Sequence, residues 1–261
     1  MKLQKKIIGV LDLNIDNIYF LNALRNRFKN DDIYYVNDLT IENIDEMDID
    51  EINKKVNDLI NYLMAKKIDI LVVVSDNIVE YCEDLLNNLS VPVVQIVNET
   101  INFINEEYEY KNIGFLSTTS MINANIYQKN FRYNHLYNMN GDNLKQLIKE
   151  HLVKTTESFQ ETKNLIAPVF KKELDIIVPS LINYLMVCTE INEFLKDVSI
   201  LKIDDLLCDC IEKYLYKFKD LPQKGRGKTY LCVNNELDEY QLKRLLSIKY
   251  KIIDRNTEVN E

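Results

Sequence analysis

"DILVVVSDNIVEYC", residues 69–82, decides how the chain is read. Ile70 to Val74 is an unbroken run of apolar β-formers, which predicts a strand buried on both faces. The run stops at Ser75-Asp76-Asn77, and an apolar period that resumes at Ile78 predicts a helix. A buried strand leading straight into a helix is the building unit of a parallel α/β sheet. Asn77 stands three residues before Glu80, the spacing of a capping box, so helix capping is one role open to the polar break.

The same alternation runs outward in both directions. Candidate strands fall at 6–11, 33–36, 69–74, 92–97, 112–116, 175–179, 198–203 and 229–233. Between them lie amphipathic stretches such as 50–66, where Ile52, Val56, Leu59, Ile60 and Leu63 share one helical face. The fold class predicted is α/β, with mainly parallel sheets covered by helices on both sides. "IGVL" at 8–11 returns as "IGFL" at 113–116, and "VVVS" ending at Ser75 returns as "IVPS" ending at Ser180, both 105 residues later. The shared offset predicts two pseudo-symmetric three-layer domains: 1–95 with about 207–261, and 96–206. Open α/β sheets bind ligands beyond the carboxyl ends of their strands, so a ligand cleft between the domains is expected, with Ser75 and Ser180 on opposite walls.

Composition narrows the function classes. The chain has 261 residues, 46% hydrophobic and 28% charged, with a formal net charge of −9. That charge argues against a nucleic-acid partner, because phosphate binding needs clustered Lys and Arg. The basic knot "QKGRGK" at 223–228 reads as a solvated loop, and the acidic run at 42–51 as a loop and helix start. No stretch approaches 18 apolar residues, and the first apolar run, Ile7 to Leu11, is too short for a signal segment, so no membrane association is expected. Cys82, Cys188, Cys208, Cys210 and Cys232 lack the spacing of a disulfide framework or a paired zinc site, which predicts reduced thiols and a cytoplasmic protein. Cys208 and Cys210 would point in different directions on one helix and read as packing or surface thiols, and Cys188, well beyond a helix start, as a buried hydrophobe. Five glycines in the whole chain leave little for a phosphate cradle, and neither a cofactor nor a metal is expected.

Across nearly its full length the chain resembles the aspartate/glutamate racemase family, and within it glutamate racemase. "IGVLDLN" (8–14) is similar to the family's opening strand and Asp-Ser-Gly turn, and "IYYVND" (33–38) to its second strand and Gly-Asp end. "IGFLSTTSMINANIY" (113–127) is similar to its strand, Thr-rich loop and tyrosine-bearing helix, while "KIDD" (202–205) and "TYLCVNNELDEYQLKRLL" (229–246) resemble its closing segments. The resemblance implies two pseudo-symmetric α/β domains, each bringing one cysteine to the substrate α-carbon, and a homodimer. It fails at the catalytic motifs. Val74-Ser75-Asp76-Asn77 stands where the family has Ala-Cys-Asn-Thr, and Pro179-Ser180-Leu181-Ile182 where it has Gly-Cys-Thr-His. Only Asp12 remains of the Asp-Ser-Gly turn, and Asn43-Ile44-Asp45 replaces the Pro-Tyr-Gly loop.

The chemistry of that loss is specific. In a two-base racemase one thiolate removes the α-proton while the opposite thiol supplies one. Cysteine suits this because its pKa starts near 8.5 and falls at a helix N-terminus; a serine hydroxyl titrates several units higher and needs a neighbouring base. Neither histidine, His135 or His151, lies in a segment that the resemblance puts at the site. No catalytic residue is therefore assigned, with Ser75 and Ser180 marking the family's cysteine positions; Ser180 could instead cap the helix after it. The candidate ligand-binding residues are Asp12, Asp38, Asp76, Asn77, Ser117, Thr118 and Thr119. The resemblance implies that Asp12, Asp38 and Asp76 follow three strands of the first half, so their carboxylates are expected to converge and to disfavour acidic amino acids. Ser117-Thr118-Thr119 could hold a ligand carboxylate, as the resemblance implies, or cap a helix.

The function expected is that of a racemase-fold protein that has lost cysteine-dependent racemisation and acts as a binding, regulatory or structural relative. The alternative is a glutamate or aspartate racemase, or a related isomerase, with residual or altered activity. A third reading has a vestigial cleft and a protein that works through subunit contacts. A small molecule and a second copy of the chain are the expected partners.

Overall fold

A computed structural model describes residues 5–13, 15–38, 47–216, 225–233 and 239–255. In chain order its elements are β1 (Ile7–Leu11), α1 (Phe20–Arg27), β2 (Asp32–Val36), α2 (Ile49–Ala65), β3 (Ile70–Val73), α3 (Asp76–Tyr81), α4 (Glu83–Asn87), β4 (Val93–Gln95) and α5 (Ile96–Glu107). Next come β5 (Lys111–Ser117), α6 (Thr119–Ala124), β6 (Tyr133–Asn140), α7 (Asp142–Lys149), α8 (Thr156–Ile166), β7 (Ile176–Pro179), a 3-10 turn (Ile182–Val187), α9 (Cys188–Phe194) and β8 (Ser199–Ile200). The chain closes with α10 (Ile203–Leu215), β9 (Thr229–Val233), α11 (Glu239–Leu245) and β10 (Lys251–Asp254). It divides into two compact units, Met1–Ile96 with Asp204–Glu261, and Val97–Ile203.

The first unit holds a six-stranded sheet in the order β10-β9-β2-β1-β3-β4, every pair parallel. Ile8, Val10 and Leu11 of the central strand are buried, as the apolar pattern requires for a strand covered on both faces. The buried residues of α2 are Ile52, Val56, Leu59, Ile60 and Leu63, the five that the helical period puts on one face. Burying such a side chain stabilises the fold by about 1.5–3 kcal/mol, far more than helix propensity contributes. Leu11 lies opposite both Val36 and Val73, so β1, β2 and β3 end level with one another.

The second unit holds a four-stranded parallel sheet in the order β6-β5-β7-β8. That order repeats β2-β1-β3-β4 strand for strand, so the 105-residue repeat is a repeat of wiring. The glycine in each "IG" pair has a packing reason. A Cβ on Gly9 would come within 2.8 Å of Ile68 Cδ1, and one on Gly114 within 2.9 Å of Leu174 Cδ1. In each unit the covering layer closes onto the central strand at that point. Beneath the second sheet, Leu116, Met139, Leu144, Ile148, Leu165 and Ile166 belong to one buried apolar cluster.

The register of the repeat differs from the sequence expectation by one residue. The last ladder bond of β3 runs from Val74 N–H to Leu11 O (3.0 Å), whereas that of β7 runs from Ser180 N–H to Leu116 O (2.9 Å). Leu11 and Leu116 are repeat partners, so Ser180 occupies the rank of Val74, and Ser75 lies one residue further out. A one-residue step reverses the side of the sheet that a side chain faces.

Other differences are local. Residues 92–97 form a three-residue strand, because α5 starts at Ile96, and 198–203 shrinks to Ser199–Ile200 before α10. Two strands were not expected: β6, "YNHLYNMN", is too polar to show an apolar alternation, and β10, "KIID", is short. The expected loop at 223–228 is a tethered lead-in over its described part. Gly227 N–H donates to Lys29 O (2.9 Å) and Lys228 N–H to Asp32 Oδ1 (2.7 Å), while Ile33 N–H donates to Lys228 O (2.9 Å). Arg25 staples the same place, its Nη1 bonding Asp31 O and its Nη2 bonding Lys228 O, each at 2.9 Å. A Cβ on Gly227 would stand 1.9 Å from Asp31 O, a backbone atom that cannot move without breaking the start of β2. Gly227→Ala is therefore expected to lower unfolding free energy by roughly 1–3 kcal/mol in urea titrations, and an unchanged midpoint would refute this docking of β9 onto β2.

Candidate functional site

The carboxyl edge of the first sheet is built around Asp12. It is the first residue after β1, and its N–H still bonds Val36 O (3.0 Å), which holds the side chain at the strand end. Asp12 Oδ1 accepts the Leu13 N–H (3.0 Å), and Oδ2 accepts the Asn17 N–H (3.1 Å) and the Tyr35 hydroxyl (2.8 Å). The carboxyl is buried, and burial pushes its pKa up to about 7, aided by the charge of Asp16 and opposed by the Tyr35 and Asn17 donors. Burial and the Asp12 charge hold the Tyr35 phenol well above its ordinary range, so Tyr35 remains a donor. A carboxyl poised near neutral pH can accept or release a proton under working conditions, the requirement for a general acid or base.

Asp38 follows β2, its N–H bonding Leu13 O (3.2 Å). Beside it lies a cation that sequence reasoning missed. Arg255 Nη2 donates to Asn37 O (2.9 Å), and its guanidinium stands 6.0 Å from the Tyr62 ring centroid. Burial lowers the Arg255 pKa, while the charge of Asp38 opposes that. Arg255 Nε has no hydrogen-bond partner among the described residues. It comes directly after β10, a strand too short to carry a sequence signal.

Asp76 is buried at the end of β3, so Asp12, Asp38 and Asp76 do follow three adjacent strands. The charge of Asp16 raises the Asp12 pKa, and the charge of Asp38 acts on Arg255. The capping expectation is corrected. Ser75 occupies the N-cap position of α3 with extended backbone (φ −98°, ψ 122°), makes no side-chain cap bond, and leaves Asn77 inside the first turn. The capping box fails because α3 begins one residue before Asn77. The expected loop at Asn43-Ile44-Asp45 lies outside the described residues.

At the carboxyl edge of the second sheet, Ser117 ends β5 and Ser180 follows β7. Their hydroxyl oxygens are 2.7 Å apart, either able to donate, and both residues are fully buried. Ser180 caps nothing; the 3-10 turn begins at Ile182 after Leu181, and the hydroxyl bonds Ser117 instead. Thr118 is a true N-cap, its Oγ1 accepting the Met121 N–H (3.3 Å). Thr119 directs both donors at Asp142. Its N–H lies 3.2 Å from Asp142 Oδ1 and its hydroxyl 2.5 Å from Oδ2. Asn140 Nδ2 adds a bond to Thr119 Oγ1 (2.8 Å), so an internal carboxylate occupies the donors expected to meet a ligand.

All five cysteines are reduced and buried, and burial pushes the Cys82 thiol up to about 11 and raises that of Cys208. Cys188 starts α9, with its Sγ 3.9 Å from Tyr184 O. Among the described residues no group of three or more His, Cys, Asp or Glu is placed to hold a metal ion, and no helix is long and apolar enough to cross a membrane.

No family's sequence profile matches the chain. It is 22% identical over 211 residues to the glutamate racemase of Aquifex pyrophilus, a match covering 80% of this chain and 83% of the relative. It is also 22% identical over 209 residues to that of Aliarcobacter butzleri, covering 77% and 80%. Among solved structures, a glutamate racemase of Bacillus anthracis superposes with a TM-score of 0.81 at 18% identity, covering 95% of this chain and 97% of the other. The Francisella tularensis glutamate racemase, solved with D-glutamate, gives 0.80 at 16% identity over 95% and 96%. An aspartate racemase of Picrophilus torridus gives 0.57 at 16% identity over 80% and 93%. The chain thus has the fold of the glutamate and aspartate racemases, with glutamate racemases as its sequence relatives.

The buried Asp12 carboxyl makes a pH-dependent contribution to stability. Its folded pKa of about 7 lies above the ordinary carboxyl value of 3.8, so the folded state holds a proton that the unfolded chain releases between these values. This contribution is complete below about pH 4, is lost as pH rises towards 7, and changes no further beyond that. Asp12→Asn lacks the titration. Wild type should lose unfolding free energy relative to Asp12→Asn as pH rises from about 5 to about 7, by at most about 1.4 kcal/mol per pH unit. Parallel pH profiles for the two proteins would refute the assignment.

Proposed function

We propose that this racemase-fold chain binds a small molecule at the carboxyl edges of its sheets and does not racemise amino acids by thiol chemistry, acting as a binding or regulatory relative of the glutamate racemases. The observation that carries this reading is the Ser117–Ser180 pair. At one of the two positions where the resemblance puts a catalytic thiol, the hydroxyl is fully buried and already hydrogen-bonded to another hydroxyl, with no histidine or carboxylate as its partner among the described residues. A serine so placed has no base to activate it. D-glutamate is the molecule held by the Francisella structure, which makes acidic amino acids the first class to try. Asp142 on Thr119 and the acidic residues after the first sheet weigh against tight binding of that class, whereas Arg255 weighs in its favour.

A second reading, an amino-acid racemase or related isomerase with altered machinery, is favoured by one observation: Asp12 with its pKa of about 7 beside the Tyr35 donor. On that reading Asp12 would act as the base in place of a thiolate. The two readings separate in one experiment. D- and L-glutamate and aspartate are incubated with protein in D2O, α-proton loss is followed by NMR, and ligand-induced shifts in melting temperature are measured in parallel. The first reading expects exchange no faster than the protein-free control, with or without a thermal shift. Exchange that disappears in Asp12→Asn or Ser75→Ala would overturn it and establish the second.

A further inference from the structure

Two arginines are tied to the first sheet, and they are used differently. At its amino edge Arg25 is a staple with every nitrogen engaged. Its Nε donates to Thr229 Oγ1 (3.0 Å), while Nη1 donates to Phe28 O and Asp31 O and Nη2 to Lys228 O, each at 2.9 Å. At the carboxyl edge Arg255 donates once, from Nη2 to Asn37 O (2.9 Å). A guanidinium carries a fork of N–H donors, and among the described residues the rest of that fork makes no hydrogen bond, Nε included. Arg255 is partly buried, and a charge drawn out of water is costly unless it is paired. As a staple it is underused; as a receptor for an outside anion it has donors to spare.

The sheet register says what lies across from it. Ile253 is opposite Cys232 of β9, and Cys232 is opposite Val36 of β2. Two residues further along, Arg255 and Asp38 therefore share one rank at the carboxyl edge, on strands about 10 Å apart. The Asp38 charge acts on Arg255 through space, with no hydrogen bond between the two. The Tyr62 ring centroid stands 6.0 Å from the guanidinium, a contact that uses none of its N–H donors. A cation and a carboxylate too far apart to bond each other, yet near enough for each to feel the other's charge, leave a place for a molecule that carries both signs.

We propose that Arg255 anchors the α-carboxylate of an amino acid with an uncharged side chain, whose ammonium group faces Asp38. This rests on the small-molecule reading above and names its ligand class. The guanidinium fork matches a carboxylate through two parallel bonds, and an ammonium, which has three donors and no acceptor, suits the Asp38 carboxylate. The uncharged side chain follows from the rest of the edge. Asp38 and Asp76 are both buried there, so a second carboxylate on the ligand would meet like charge. Phosphate is disfavoured on the same ground, since it brings more negative charge and no ammonium for Asp38.

Glutamine and glutamate share a shape and differ by one charge, which makes them the probes. Titration calorimetry of the full chain with D- and L-glutamine, up to about 10 mM, should show at least one enantiomer binding about tenfold or more tighter than glutamate of the same hand. Glutaminamide, which lacks the α-carboxylate, should not bind, and that arm needs no variant. Arg255→Met should weaken glutamine by about tenfold or more, and Arg255→Lys, which keeps the charge but loses the fork, should weaken it too. Lys66→Met is the control. Lys66 Nζ stands 4.7 Å from the centroid of the same Tyr62 ring, so its removal takes away a nearby charge, leaves the fork intact, and should change the affinity by less than about twofold. Wild-type circular dichroism and urea midpoint qualify each variant. Glutamine bound equally by wild type and both Arg255 variants would overturn the proposal and leave small-molecule binding standing. Glutamate or glutaminamide bound as tightly as glutamine would overturn it as well. A wild type that binds no probe, glutamate included, would overturn it together with the reading it rests on.

Discussion

A parallel sheet covered on both faces leaves its polar side chains few places other than the strand ends, and the rest of the structure depends on that constraint. The strands of each unit run the same way, and Leu11 lies level with Val36 and Val73. The apolar runs consequently end together, and the residues just past them gather at one edge: Asp12, Asn37-Asp38 and Ser75-Asp76 in one unit, Ser117, Gly141 and Ser180 in the other. Residues far apart in the chain become neighbours because hydrophobic burial fixes the register. The polar groups gather without any mutual attraction needing to assemble them.

The two edges nevertheless carry different chemistry, and the one-residue difference in register explains part of it. Ser75 lies beyond the ladder at a helix N-cap position, while Ser180 is still within it, its N–H bonding Leu116 O at 2.9 Å. The outer position borders the start of a helix; the inner one is enclosed, and its hydroxyl finds a buried polar partner in Ser117. A buried hydroxyl without a partner costs about 1–3 kcal/mol, so the pair is a structural solution before it is anything else. Asp12 is the reverse case. Burial alone would neutralise it, yet three donors are aimed at its oxygens, and the opposing effects leave it titrating near pH 7. Of the two edges, the first therefore holds the group with protonic chemistry at neutral pH.

How much of this is legible in the sequence depends on whether burial or contact writes the signal. Strands β1, β3, β5 and β7 read clearly because each is an apolar run, and the helical period of α2 picks out all five of its buried residues. Ser75 and Ser180 are found at strand ends by that route, whereas Asp12, Asp38, Ser117 and Thr118 are picked out through the resemblance. Strand β6 is not legible, because an exposed edge places asparagine where a central strand has valine. Arg255 and Asp142 matter through neighbours remote in sequence, Asn37 and Thr119, and no local pattern announces such pairs. The capping box at Asn77 misleads because its spacing is right but the helix starts at Asp76.

The repeat also shows where similarity of wiring stops constraining structure. Strands β2 and β6 have the same place and direction, but β2 reads "DIYYV" and β6 reads "YNHLYNMN". In β2, Ile33, Tyr35 and Val36 are buried, and Tyr34 stacks on Tyr230 of β9 with ring centroids 4.6 Å apart. Strand β6 buries Met139 and leaves its asparagines in solvent. Composition has followed the neighbour: a strand clasped by β9 can be apolar, whereas one that is flanked, among the described residues, by β5 alone must stay compatible with water while keeping its ladder. Asparagine meets both demands, since its amide is hydrated without charge and can still pair with another amide. Lysine would have given the same solubility and closed the edge to any further strand. That the chain uses the uncharged residue there, although it is rich in charge elsewhere, is the feature of β6 that burial alone does not explain.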